Sequence, residues 1–537
     1  MAQNLADLFE HAVDAVPDRV AVIDGGSGSE FTYRELEQRS NRLAHLLIDH
    51  GVRGGSHVAI HMHNAVDTLA GFLATFKLRA VPVNVNYRYV RDELAYVYDD
   101  ADVVAVLTQP RYADAARAAT GHPVIVVDER FDETLSGCSA ERDFATRADD
   151  DLFLMYTGGT TGAPKGVMWR QADMWRVLGG GIDFYSGELM ADEYAQSARA
   201  GESADPMRFL MLPPLIHVSG LMPTLGALFS GNTVLFEPRF DAARVWEVVE
   251  TCRPAIMVIT GDAMGRPLID ELEERVAAGR AVDVSSLLAV SSGAALFSPA
   301  LKARLLGLAP TVAISDSIGS SETGFGGIRV YSAADTAFAT ADHAGGPRVP
   351  AGRGATVIDD DGAPLTEPGE GWFAKTGYLP IGYYKDEAKS ATIFREHDGV
   401  RMVVSGDRAR LEADGAITLL GRGSQVVNTG GEKVFVEEVE GELKSHPAVV
   451  DAIVIAVADE RFGQGVAAVV AVAGSPDFEA IESHLRTRLA GYKVPRTYWV
   501  VDAVTRTPSG KPDYGWAKSI ASSSDPTHVR DAARSHR

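Results

Sequence analysis

The chain has 537 residues, 46% of them hydrophobic and 23% charged. These are globular values that exclude a disordered, collagen-like or rod-like bulk, and at roughly 100–200 residues per domain the length calls for more than one domain. Lys and Arg total 51 against 73 Asp and Glu, a net charge of −22, so nucleic acid and anionic lipid are repelled on average and any bound polyphosphate needs a local cation cluster or Mg²⁺.

The opening stretch, MAQNLADLFEHAVDAVPDRV, carries acids where a secretory signal needs basic residues and an apolar run. No run of about 18 apolar residues is present to span a bilayer. The expectation is a soluble, cytoplasmic protein. Residues 5–15 predict an amphipathic helix ended before Pro17, and 20–23 a strand. Residues 33–50 have helical periodicity and stop at Gly51. Strand signals at 57–61, 80–85, 103–107 and 124–127 then alternate with a helical one at 69–78. That alternation predicts α/β layers on mostly parallel sheets. Cys138 and Cys252 are too few for a disulfide framework or a Cys-rich zinc site, and read as buried, reduced thiols.

Residues 186–205 are polar and weakly periodic, and read as a surface insertion or lid. Residues 345–350 read as a loop. From Asp359 dense turn signals predict short antiparallel strands, and 421–424 reads as a linker. After it come a helix at 436–445, strands at 450–457 and 466–472, a helix at 478–489 and a strand at 498–501. The polar tail from Ala521 is expected to fray.

The most informative segment follows the apolar strand 152–155. Thr157, Gly158, Gly159, Thr160, Thr161 and Gly162 lead into Pro164, Lys165 and Gly166. Glycines let backbone N–H groups converge, threonine hydroxyls add donors, and Lys165 adds a cation, which is what a chain of phosphate oxygens needs. Lys165 follows Pro164 and not Gly, so this is not a Walker A loop.

YTGGTTGAPKG resembles the phosphate loop of the adenylate-forming superfamily, which includes acyl-CoA synthetases, peptide-synthetase adenylation domains and luciferases. The resemblance extends in order over roughly residues 5–520. Ser292, Gly293, Ala294 and Ala295 resemble one adenine wall. Ser317, Ile318, Gly319, Ser320, Ser321 and Glu322 resemble the segment with the opposite adenine contact, a phosphate hydroxyl and a Mg²⁺-binding glutamate. Ser405-Gly406-Asp407 resembles the ribose-binding segment. Gly421-Arg422 with Glu437–Glu440 resembles the hinge and first helix of a mobile C-terminal domain, and Thr507–Lys511 the loop with the adenylation lysine. The resemblance implies a large N-terminal domain of layered sheets and helices over 1–421, a hinge at 422–424, a small α+β domain over 425–520 and a flexible tail.

The roles it implies are these. Glu322, with Thr157, holds Mg²⁺. Lys511 bridges carboxylate and phosphate oxygens. Arg422 reaches ribose or phosphate, and Asp407 takes the ribose hydroxyls. Asp316 accepts the adenine amino hydrogens or caps a turn. His217, in Leu212–His217, gates the acyl pocket or orients the carboxylate. Gly431 and Lys433 line a thiol tunnel, and Ser424 is a hinge residue. Three positions depart from the family pattern: Gly158 stands for a frequent Ser, Ile318 for an aromatic on adenine, and Ser424 for an Asp or Lys.

The segments 165–170, 316–324 and 428–449 look most like synthetases of fatty acids or steroid side-chain acids. The implied reaction joins such an acid to coenzyme A through acyl-AMP, with ATP consumed. Delivery to a carrier protein, or nucleotide binding without catalysis, are the alternatives. A homodimer stays open. Glycines beside apolar residues at 177–185, 217–225 and 324–328 are compatible with room for a bulky acid, and equally with backbone turns.

Overall fold

The computed structural model describes residues 4–158, 163–182, 188–202, 205–294, 297, 299–335, 348–422, 426–505 and 513–530. The chain divides into two units. One comprises Met1–Tyr87, Tyr98–Tyr156 and Gly166–Gly421, the other Arg88–Val97, Thr157–Lys165 and Arg422–Arg537.

In the first unit the helix Leu5–Ala15 starts where the Asn4 side chain accepts from the Ala6 N–H. The helix Tyr33–Asp49 starts with a capping box between Thr32 and Glu35. The helix Val66–Lys77 ends in a lysine with no exposure to solvent. Lys77 Nζ donates to Glu10 at 2.5 Å and to Glu37 at 2.8 Å, and Arg147 and Arg142 close the cluster on the same two glutamates. Burial alone disfavours the Glu10 carboxylate, yet these cations hold its pKa below the ordinary value. The charges therefore bind three helices together.

The eight-stranded sheet runs in the order Gly324–Tyr331, Ala313–Ser320, Ala289–Ser292, Ile256–Ile259, Arg208–Met211, Thr233–Phe236, Val20–Asp24, Glu30–Thr32. All are parallel except the two edge strands. A seven-stranded sheet follows the order Gly382–Tyr383, Pro164–Arg170, Leu152–Gly158, Val81–Asn84, His57–His61, Val103–Thr108, Val124–Val126. Val81–Asn84 and Thr233–Phe236 are buried at every position, as strands covered on both faces must be. A third, antiparallel sheet is built from Ala355–Ile358, Gly369–Thr376, Val400–Leu411, Ala416–Arg422 and Arg348–Pro350, with Phe394–His397 at its side.

In the second unit, Glu432–Phe435, Val426–Thr429, Gly463–Val472, Thr497–Val501 and His528–Val529 form a sheet, with Val449–Asp459 paired to Gly463–Val472. The helices Val436–Lys444 and Phe478–Arg486 belong to this unit, and Val439, Leu443, Ile481 and Leu485 form its core with Val454, Ala468 and Tyr498. Lys493 Nζ is buried between Glu93 and Glu438, at 2.7 and 2.9 Å.

Several sequence expectations need correction. The stretch read as a surface lid contains the helix Tyr194–Glu202 with Gln196 and Ser197 buried. Gln196 accepts from Trp175 Nε1 at 3.0 Å and donates to Ser230 Oγ at 2.9 Å, so its polarity serves the interior. The tail does not fray at Ala521. The helix Tyr514–Ser523 runs through it, and His528–Val529 pairs with Thr497–Tyr498. Arg348–Pro350 is a strand and not loop, and Gly421 and Arg422 end a strand and not a linker. Both cysteines are free, but they are partly exposed and not buried. No helix among the described residues is long and apolar enough to cross a membrane.

Candidate active site

Two candidate segments of the first unit lie at the ends of the adjacent parallel strands Ala289–Ser292 and Ala313–Ser320 of the eight-stranded sheet, and a third follows Arg208–Met211, two strands away from Ala289–Ser292. The carboxyl ends of such strands are where ligands bind in open α/β sheets. Ala289–Ser292 leads into Gly293 and Ala294. Ser317 Oγ donates to the Ser292 carbonyl at 3.2 Å, and among the described groups the buried Ser292 hydroxyl has no partner. Ala294 has φ of 64°, a left-handed conformation that costs a non-glycine residue about 1–2 kcal/mol. The strained backbone of Ala294 thus lies two residues from a buried hydroxyl that has no partner among the described residues. Ala295 lies outside the described residues.

The next strand, Ala313–Ser320, carries Asp316, Ser317, Ile318, Gly319 and Ser320. Asp316 Oδ2 accepts from Lys302 Nζ at 2.5 Å, with both side chains buried, and Lys302 Nζ lies 4.3 Å from the Tyr331 ring centre. The Asp316 carboxylate is thus one half of an internal ion pair. Ile318 is buried with Val349, Val357, Phe373 and Ile417 in the core of the third sheet.

The turn after this strand is tightly tied. Ser320 N–H donates to Thr323 Oγ1 at 2.9 Å, and Thr323 N–H to Ser320 Oγ at 3.1 Å. Trp169 Nε1 donates to the Ser321 carbonyl at 2.8 Å. Glu322, between them, is 9% exposed, and its Oε1 accepts from the Tyr383 hydroxyl at 3.0 Å.

His217 is the N-cap residue of the helix Val218–Phe229. The loop before it is held by two buried asparagines, Asn84 at the end of a strand of the other sheet and Asn64 in the bend after the strand His57–His61. Asn64 Nδ2 donates to the Pro213 carbonyl at 3.0 Å, and its Oδ1 accepts from Leu215 N–H at 2.7 Å. Asn84 Nδ2 donates to the Tyr156 carbonyl at 3.0 Å and to the Ile216 carbonyl at 2.6 Å, and its Oδ1 accepts from Tyr156 N–H at 2.7 Å. Asn84 therefore links the residue before Thr157 to the residue before His217. Asp407 stands apart on the third sheet, its Oδ2 accepting from Ser405 Oγ at 2.5 Å.

In the second unit Thr157 and Gly158 close the strand Leu152–Gly158. The Thr157 hydroxyl is buried and has no partner among the described residues. Gly159, Thr160, Thr161 and Gly162 lie outside the described residues. Lys165 is on the strand Pro164–Arg170, the sheet neighbour of Leu152–Gly158, and not in a loop. Arg422 ends a strand, and Ser424 lies outside the described residues. Gly431 has φ of 86° in the turn of the hairpin that pairs Lys433 with Asn428, a backbone state that favours glycine. Lys511 also lies outside the described residues.

The glycines do not hollow out an acyl pocket. A Cβ at Gly179 would lie 3.0 Å from Trp175 Cδ1 and 3.4 Å from Met222 Cε, and one at Gly220 2.3 Å from the Pro214 carbonyl oxygen. At Gly324 it would lie 2.5 Å from Val177 Cγ1, and at Gly326 2.7 Å from Phe373 Cζ. The volume each glycine vacates is filled by the protein itself.

Sequence reasoning missed Asn64, Asn84, Trp169 and Tyr383. Asn84 carries a usable signal: it is a polar side chain on a strand otherwise made of Val and Pro, where burial demands partners. Trp169 and Tyr383 carry none, because their partners lie more than a hundred and some sixty residues away in the chain.

The chain matches the family model of AMP-binding enzymes over residues 9–384 and that of the AMP-binding enzyme C-terminal domain over residues 438–511. It belongs to the AMP-binding enzyme family. It is 47% identical to a 3-oxocholest-4-en-26-oate–CoA ligase of Rhodococcus rhodochrous, covering 96% of each chain. It is 45% identical to a medium/long-chain-fatty-acid–CoA/3-oxocholest-4-en-26-oate–CoA ligase of Mycolicibacterium smegmatis, covering 99% of each. Among solved structures, the o-succinylbenzoate CoA synthetase of Bacillus subtilis superposes with a TM-score of 0.79 at 24% identity, covering 95% of this chain and 98% of the other. An amide bond synthetase of Marinactinospora thermotolerans gives the same TM-score and identity, covering 95% and 99%. These two likenesses show the fold alone.

Proposed function

We propose that this chain is an ATP-dependent acyl-CoA synthetase for a hydrophobic carboxylic acid: a medium- or long-chain fatty acid, or a steroid side-chain acid such as 3-oxocholest-4-en-26-oate. The observation that carries this reading is the 47% identity over 96% of both chains to a ligase of that name.

A carboxylate is a poor acyl donor because its charge repels nucleophiles and its leaving group would be oxide. In the first half-reaction a carboxylate oxygen attacks the α-phosphorus of ATP. The bond to the β-phosphate oxygen breaks, and acyl-AMP and pyrophosphate form. In the second, the thiol sulfur of coenzyme A attacks the acyl carbonyl, AMP leaves with the bonding electron pair, and the thiol proton passes to solvent. Catalysis of the first step is mostly positioning and charge neutralisation.

The segment from Thr157 to Lys165 grips the phosphates, the Ser292–Ala294 turn and Ser317 face the base, and Asp407 takes the ribose hydroxyls. Arg422 adds a cation, Lys511 neutralises the oxygens that meet in the first step, and His217 orients the acid. Gly431 and Lys433 border the path of the thiol, with 422–424 as the hinge between domains. In this reading Asp316 stays with Lys302, and Ile318 stays in its core. Mg²⁺ suits the donors: Glu322 is a buried carboxylate and the Thr157 hydroxyl has no partner among the described residues, both hard oxygens of the kind magnesium takes one or two at a time. When bound, Mg²⁺ supplies charge neutralisation on the phosphate oxygens.

The test is acid-dependent pyrophosphate release across saturated fatty acids of increasing length and 3-oxocholest-4-en-26-oate, with the CoA product identified by mass. Turnover with at least one of these acids and a thioester product is expected. Release that ignores the added acid, or acyl-AMP that never becomes a thioester with CoA, would defeat the proposal.

A further inference from the structure

Glu322 does not stand alone in its turn. The two strands that hold it come from the seven-stranded sheet, and they are paired to each other through Tyr383 with Val167 and Gly382 with Met168. One of them sends Trp169 Nε1 to the Ser321 carbonyl at 2.8 Å, and the other sends the Tyr383 hydroxyl to Glu322 Oε1 at 3.0 Å. Tyr383 is 6% exposed, and its ring meets Phe394 edge-on with centroids 6.0 Å apart, which fixes the direction of the hydroxyl. The far side of the turn is seated too, since a Cβ at Gly324 would lie 2.5 Å from Val177 Cγ1 and 3.3 Å from Trp169 Cη2. The turn therefore has little freedom, and the carboxylate inside it has one oxygen committed to a phenol.

We propose that Tyr383 is a positioning residue for the metal-holding carboxylate Glu322, and that its single hydroxyl sets the affinity of the enzyme for the divalent cation that accompanies ATP. The proposal rests on the reading of Glu322 as a Mg²⁺ ligand. The physical reason is that a free carboxylate can rotate and present either oxygen, or both, to a cation. One already accepting a hydrogen bond from a rigid donor presents one preferred direction. Partners of this kind orient metal-ligating groups, and their loss commonly lowers metal affinity about 10- to 100-fold. A structural tyrosine would serve the fold equally well without its oxygen.

The experiment compares the wild type, Tyr383→Phe, Glu322→Gln and the double variant. Two readouts are taken: the half-saturating Mg²⁺ concentration in acid-dependent pyrophosphate release, and Mn²⁺ binding followed by electron paramagnetic resonance with an ATP analogue that cannot be cleaved between the α- and β-phosphates. Melting temperature controls for folding. Tyr383→Phe is expected to raise the half-saturating metal concentration about tenfold in both readouts. The double variant is expected to match Glu322→Gln alone, because the hydroxyl acts only through that carboxylate. If Glu322→Gln shifts the metal dependence and Tyr383→Phe does not, or if the two effects add in full, the role of Tyr383 is refuted and that of Glu322 stands. If Glu322→Gln shifts neither readout, the metal assignment of Glu322 falls and takes the proposal with it. If Tyr383→Phe fails to fold, Trp169→Phe supplies the second arm. It loosens the same turn through Ser321, and an unchanged metal dependence in it overturns the idea that the seating of this turn sets metal affinity.

Discussion

His61 shows how much a single buried side chain can bias the fold with pH. It is fully buried at the end of the strand His57–His61, with Nδ1 3.3 Å from the Tyr98 hydroxyl and its ring 5.0 Å from that of Tyr112. Its Nε2 has no partner among the described residues. Burial, and secondarily the nearby His63, pushes its pKa down from 6.5 to about 4. In the unfolded chain the imidazole takes its proton near pH 6.5, whereas in the folded chain it does not until about pH 4. Between these values the unfolded state binds more protons, so stability falls as pH falls through that window. The full effect is about 3 kcal/mol, reached near pH 4. His61→Phe removes the titration and keeps a ring in place. The melting temperature of the wild type is therefore expected to fall faster than that of the variant as pH is lowered from 7 to 4. Parallel curves would show that the imidazole does not carry this pH dependence.

Elements differ in how plainly the sequence announces them. Val103–Thr108 is an unbroken run of apolar residues ending in Thr, all buried but the half-buried Val104, and Leu5–Ala15 keeps its leucines and Phe9 on one buried face. Both are legible because burial and periodicity agree. The helix Tyr194–Glu202 defeats that logic, since its buried face includes Gln196, whose hydrogen-bond partners Trp175 and Ser230 are remote in sequence, and Ser197, which bonds back to the Tyr194 carbonyl. The tail defeats it as well. A polar, serine-rich composition reads as loose, yet its described part, up to Arg530, is docked by a two-residue strand, one aromatic stack and a few hydrogen bonds. His528 stacks on Phe478 with centroids 4.5 Å apart, Thr527 N–H donates to the Tyr498 carbonyl at 2.8 Å, and Trp499 Nε1 donates to the Ser524 carbonyl at 3.1 Å. Of the candidate site, the motif residues were legible as a set of types in order, but the supports that hold them were not, because tertiary contacts leave no local signature. A chain ending at Ser523 is expected to lose about 3 kcal/mol of local stability against one ending at Arg530. The loss is expected as weaker hydrogen-exchange protection in Gly463–Val472 and Thr497–Val501. Equal protection in the two chains would return the tail to the status of an ornament.

The molecule as a whole is acidic, with a net charge of −22, while the proposed substrates ATP and CoA are polyanions. The candidate cations Lys165, Arg422, Lys433 and Lys511 all belong to the second unit, whereas Glu322, Asp407 and the Ser292–Ala294 turn belong to the first. The positive charge needed to hold phosphates against the acidic background is thus assigned to one unit, and the carboxylates proposed for metal and ribose to the other. This division has a kinetic consequence for Lys511. In the role proposed for it, its charge would matter most where two anions meet, as the acid's carboxylate approaches the α-phosphate. In the second half-reaction acyl-AMP is already formed, and the group that meets the acyl carbonyl is a thiol, so no carboxylate has to be held against a phosphate oxygen. Lys511→Ala is therefore expected to slow pyrophosphate release about 10²- to 10³-fold. Thioester formation from supplied acyl-AMP and CoA should stay within a few-fold of the wild type. Equal losses in both half-reactions would place Lys511 in a role common to the two steps, such as folding or general nucleotide retention. Lys511→Arg sharpens the test. A guanidinium restores the charge but spreads it over a planar fork in place of a compact ammonium, so only partial recovery of the first step is expected if a point charge between converging oxygens is what the reaction needs.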